Sequence, residues 1–227
     1  MINSHETLVI AFLGGILPSL LWLWFWLKQD QKNPEPTGLL TVIFIMGIIA
    51  VFCVLPVQKF IQSHVNSKEW QLVLWASTEE ILKFLAVMVV LLGTHHTDEP
   101  IDWPIYMITA ALGFAALENA LFLREPISNG ATVVSLLTGQ LRFLGSTLLH
   151  SVASGILGIG LGLSVGMRGF KRKWYILMGL IFAIALHSVF NFFIIRNDGN
   201  DFLKVFAFLW VVTIIVMLLF EKVKRMI

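Results

Sequence analysis

One stretch decides what this chain can become. Residues 69 to 92, Glu69 and Trp70 followed by QLVLWASTEEILKFLAVMVVLL, have the hydropathy of a membrane-spanning helix, yet Glu79, Glu80 and Lys83 stand near its middle. At a helix centre each such residue costs about 2.5–3.5 kcal/mol, against roughly 0.3–0.6 returned by each Leu, Ile, Val or Phe. Three of them nearly cancel the apolar remainder. The helix is therefore stable only if its charged face turns away from lipid, toward protein, water or a metal, and ionisable groups so placed are candidates for function. Other helices have to supply the lining.

The rest of the sequence can do so. With 57% hydrophobic and 13% charged residues and a mean hydropathy of +0.83, the 227 residues fall in the polytopic membrane class. Apolar runs long enough to cross a hydrocarbon core of about 30 Å recur along nearly the whole length. We read seven spans, about 8–27, 38–57, 70–92, 104–123, 146–166, 175–195 and 203–220. The fold expected is an all-α helix bundle forming a single membrane-embedded domain over residues 1–227. Segment 131–145 (ATVVSLLTGQLRFLG) reads as re-entrant or interfacial, and if it spans, the count becomes eight. The first apolar run lacks the basic flank and small-residue cleavage pattern of a signal peptide, so it reads as the first span.

Lys and Arg in the loops set the orientation. With the N-terminus outside, Lys28, Lys32, Arg168, Lys171, Arg172, Lys173, Lys222, Lys224 and Arg225 lie in the cytoplasm, nine against five in the outer loops (Lys59, Lys68, Arg124, Arg196, Lys204). An N-out, C-in topology is expected. Trp70, Trp103 and Trp174 start spans as interfacial anchors. The glycines of the fifth span (Gly155, Gly158, Gly160, Gly162, Gly166) point to close helix packing. The single cysteine, Cys53, excludes a disulfide framework and a cysteine zinc site. A net charge of +2 without a basic cluster among exposed aromatics gives nucleic-acid binding no support.

Polar groups recur at depth: Glu79, Glu80 and Lys83 on the third span, Glu118 and Asn119 on the fourth, His150 and Ser154 on the fifth, His187 and Asn191 on the sixth. The spacings Glu79/Lys83, His150/Ser154 and His187/Asn191 are i, i+4, one face of each helix. In the N-out topology Glu79, Glu118, His150 and His187 all fall roughly 7–15 Å below the outer surface. They are placed to form one cluster. Such a cluster serves metal-assisted hydrolysis, with Glu118, His150 and His187 as zinc ligands and Glu79 or Glu80 as general base. It equally serves metal-free hydrolysis, in which a buried carboxylate activates water while a histidine and Asn191 hold the oxyanion. A proton- or ion-coupled transporter is the alternative from another class, though no inverted repeat or matching pair of broken spans accompanies it. No H-E-x-x-H is present, and Ser146 lacks the G-x-S-x-G of a serine nucleophile.

EEILK at 79–83, FAALEN at 114–119, HSVAS at 150–154 and HSVFN at 187–191, preceded by the PEP tripeptide at 34–36, resemble the motifs of the PrsW family of bacterial intramembrane proteases, related to the CAAX prenyl endopeptidase superfamily. The resemblance implies a glutamate or metallo endopeptidase with Glu79, Glu80 and His187 as catalytic positions and Glu118 and His150 as further motif residues. It also implies a bacterial inner-membrane location and site-1 cleavage of a single-span anti-sigma factor. Glu118 stands where the CAAX enzymes carry histidine, and Asn191 where relatives carry Asp or His.

Overall fold

The computed structural model describes residues 4–30, 33–94, 96–130, 142–196 and 202–226. Among them are seven long helices and no strand: α1 Ser4–Leu27, α2 Thr37–His64, α3 Lys68–Leu91, α4 Asp102–Ser128, α5 Thr147–Leu163, α6 Gly169–Arg196 and α7 Phe202–Lys224. Six are long and apolar enough to cross a membrane. The exception is α3: its 24 residues suffice in length, but Glu79, Glu80 and Lys83 interrupt its apolar run. The helices outrun the apolar spans by up to two turns, as α2 does by continuing to His64, because helical hydrogen bonding persists where charged side chains are solvated. Of segment 131–145, residues 131–141 lie outside the described residues, and Arg142–Ser146 form a π-helical turn leading into α5.

α4 is the axis of the bundle. It packs against α1, α2 and α5, while α5 also contacts α6 and α7, and α3 lies against α2 and α6. Lipid offers helices no hydrophobic reason to associate, so close backbone contact through small residues has to hold them. At the α2/α4 crossing a Cβ on Gly47 would lie 2.0 Å from the Ala110 carbonyl oxygen, and one on Gly113 2.0 Å from that of Phe44. The α5 glycines behave the same way: a Cβ on Gly158 would come within 2.4 Å of Pro104 Cα, and one on Gly162 within 2.3 Å of the Pro100 oxygen. Gly166 differs from the packing role expected of it, since it lies in the turn beyond α5 at φ +79° with open space around it.

Large apolar side chains such as Phe52, Val89, Phe182 and Leu218 cover the outside, while Glu79, Glu80, Lys83, His150 and His187 are buried. That inversion of a soluble protein is what a lipid solvent demands. Trp70, Trp174 and Cys53 are exposed on the outside of the bundle. The PEP tripeptide has a structural use. Glu35 accepts a hydrogen bond from the Tyr106 hydroxyl, which also meets the His96 carbonyl oxygen, and the Asn33 amide donates to Glu99. The α1–α2 and α3–α4 connections are thereby tied to the start of α4, and burial of Glu35 raises its pKa.

Candidate active site

Four helices place the polar side chains together. Lys83, fully buried, holds its Nζ 2.7 Å from Glu80 Oε1 and 3.8 Å from Glu79 Oε2. The i, i+3 partner is thus closer than the i, i+4 partner that spacing singled out. The ammonium also donates to His150 Nδ1 at 2.8 Å and lies 4.4 Å above the Phe114 ring. Glu80 accepts twice more, from Ser154 Oγ at 2.6 Å and from His187 Nδ1 at 2.9 Å. Glu118 Oε2 meets His150 Nε2 at 3.1 Å, and the two imidazoles stand edge to face with centroids 4.9 Å apart. Asn191 is half-buried one turn beyond His187, and Asn119 donates to Thr147 at 2.8 Å, joining α4 to α5.

These partners fix the imidazoles. A carboxylate only accepts, so His187 carries a proton on Nδ1, and its Nε2 points toward Glu79 Oε2, 3.6 Å away. An ammonium only donates, so His150 accepts at Nδ1 and presents Nε2–H to Glu118. Glu80, with three donors, is satisfied. Glu79 is not: Oε1 accepts from the Gln58 amide at 2.9 Å, while Oε2 is buried without a hydrogen-bond partner. Leaving a buried acceptor bare costs about 1–3 kcal/mol, more when it is charged. Such an orphan calls for a proton, a water or a cation.

The donor set suits a cation. Glu79, His150 and His187 each offer a ligand atom, all within 4.8 Å of one another, and Glu79 Oε2 lies 3.9 Å from His150 Nδ1. Two imidazoles and a carboxylate are zinc-type ligands. Glu118, expected among the metal ligands, instead reaches the far nitrogen of His150. Gln58 was missed by sequence reasoning, because a glutamine near the end of a long apolar helix reads as interfacial until Glu79 is seen opposite it.

The fold and the site define a multi-pass membrane protein that shelters a carboxylate–imidazole centre between four of its helices. Family comparison gives that class its name: residues 35–220 match the PrsW family intramembrane metalloproteases, and the chain belongs to that family. It is a membrane-embedded peptidase. Relatives include Protease PrsW of Geobacillus kaustophilus, 26% identical over 82% of this chain and 80% of the relative. Protease PrsW of Bacillus subtilis is 26% identical over 87% and 89%, and that of Oceanobacillus iheyensis 28% over 79% and 80%. No solved structure matches the chain.

Proposed function

We propose that this chain cuts a single-span membrane protein, such as an anti-sigma factor, in the outer half of a bacterial inner membrane, with its own N-terminus outside and C-terminus in the cytoplasm. The depth of the four polar stripes and the bias of loop charges support that side. The observation that carries the chemistry is the bare, buried Oε2 of Glu79 facing His187 Nε2 at 3.6 Å. On this reading Glu79, His150 and His187 would hold a zinc ion. Within the cluster three carboxylates face one ammonium, an excess of negative charge that a divalent cation offsets. When bound, zinc supplies Lewis-acid polarisation of the scissile carbonyl and a water of lowered pKa.

The residues of the chain do the rest. Glu80 orients His187 through Nδ1–H, the carboxylate–histidine support usual behind a metal-binding imidazole. Glu118, 19% exposed in its side chain, stands at the open side, takes the proton of the attacking water and returns it to the leaving amine. The Asn191 amide, one turn from His187, donates to the oxyanion. A metal-free course is favoured by one contact, the 2.8 Å bond by which Lys83 already occupies the His150 Nδ1 lone pair. In that course Glu79 Oε2 itself takes the proton from water.

Both courses turn on Glu79. In proteoliposomes with a single-span reporter, Glu79→Gln and His187→Ala should each lower cleavage by at least ~100-fold, and chelator-free wild type should carry one zinc that His187→Ala loses. Wild-type cleavage by Glu79→Gln would refute the assignment, and active protein without metal would select the metal-free course.

A further inference from the structure

Gln58 belongs to neither motif nor cluster, yet it grips both ends of one face of α3. Its backbone carbonyl accepts from Trp75 Nε1 at 3.3 Å and its side-chain amide donates to Glu79 Oε1 at 2.9 Å. Trp75 and Glu79 are four residues apart, so they project from the same side of α3, and Gln58 meets them from α2. The two oxygens of Glu79 therefore have different surroundings. Oε1 is held by Gln58, and Oε2 is left facing His187 Nε2 at 3.6 Å and His150 Nδ1 at 3.9 Å.

A competitor stands close by. Lys83 Nζ is 3.8 Å from Glu79 Oε2, beyond hydrogen-bonding range but within reach of a small rotation about the last bond of the glutamate. Unrestrained, the carboxylate would close on the ammonium and satisfy itself there, since a charge-assisted bond is worth more than an open oxygen. Only the donating end of the amide can hold it back, because the carbonyl end would repel the carboxylate.

We propose that Gln58 is a positioning residue for the peptidase reaction: by donating to Glu79 Oε1 it keeps the carboxylate off Lys83 and its second oxygen aimed at the two histidines. This rests on the reading of Glu79 given above. The test compares Gln58→Leu, which keeps the volume and removes the donor, with Gln58→Glu, which keeps the shape and replaces the donor by an acceptor. Supports behind metal ligands typically contribute 10–100-fold, so Gln58→Leu should lower kcat on the single-span reporter by about that factor. KM should stay within about twofold, and Tm should hold because Glu79 closes on Lys83. Gln58→Glu should lose more than Gln58→Leu, and in both the zinc affinity measured by chelator competition should weaken by a similar factor. A kcat within about threefold of wild type, an unchanged zinc affinity, a loss that follows a falling Tm, or a Gln58→Glu variant better than Gln58→Leu overturns the proposal. If Glu79→Gln also cleaves normally, the reading of Glu79 fails with it; if Glu79→Gln is inactive, only the role of Gln58 fails.

Discussion

Replacing Lys83 by methionine tests how the charged face of α3 is tolerated at all. The side chain is fully buried, with its ammonium 2.7 Å from Glu80 and 3.8 Å from Glu79. Even at an effective dielectric of about 20 the nearer contact is a gross attraction of roughly 6 kcal/mol, most of it consumed in desolvating both ions. The net cost of removing one partner of a buried pair is about 3–5 kcal/mol, because the other charge stays buried and unanswered. For a chain of this size each kcal/mol moves Tm by about 2–4 °C, so Lys83→Met should melt roughly 6–20 °C below wild type in detergent at one scan rate. Adding Glu80→Gln removes the stranded charge while keeping one acceptor oxygen for His187 Nδ1–H, and the Ser154 hydroxyl can turn to accept from the amide NH2. The double variant should then recover at least about 2 kcal/mol relative to the sum of the two single losses. A Lys83→Met protein melting within about 2 °C of wild type, or strictly additive losses, would show that water or lipid headgroups reach these carboxylates and that the pair is not what shelters them.

Two further outcomes probe the scaffold. Gly47→Ala forces a Cβ to 2.0 Å from the Ala110 carbonyl oxygen, a backbone atom that cannot swing away, and should lower Tm by several degrees, whereas Gly38→Ala on the same helix meets nothing within 4 Å and should hold or raise Tm through helix propensity; equal shifts would refute the close crossing. Asp30, on the α1–α2 connection, has its pKa pushed from 3.8 to about 6, first by burial and then by the charges of Asp102 and Glu99, so its contribution to stability is present below about pH 4 and lost as pH rises through about 6. Asp30→Asn should therefore be more stable than wild type at pH 7.5 by about 1–2 kcal/mol after allowing for screening, with the gap about halved at pH 5 and closed only below about pH 4; a gap independent of pH, read by thermal unfolding, would refute this.

Hydropathy divides the chain into the seven long helices of the described residues: six by apolar runs long enough to survive in lipid, and α3 by an apolar run that three charged residues interrupt. The convergence of α3, α4, α5 and α6 on one site follows from the same cost: Glu79, Glu80, Glu118, His150 and His187 have nowhere else to be solvated. What sequence does not carry is helix phase. Glu79 and Glu80 are adjacent, about 100° apart around α3, and nothing in EEILK says which of them meets Ser154 and His187 and which keeps an oxygen bare. The phase is decided by Ser154, His187 and Gln58 approaching from α5, α6 and α2. It also explains why Lys83 prefers Glu80 at i−3 over Glu79 at i−4. His187 and Ser154 draw Glu80 into the same pocket that Lys83 enters, while Gln58 holds Glu79 to one side. Spacing rules for isolated helices weigh only the pair, and here two neighbouring helices outweigh it. The Glu35–Tyr106 tie across 71 residues is hidden for the same reason. A tyrosine inside an apolar run reads as packing until a loop carboxylate is found over its hydroxyl.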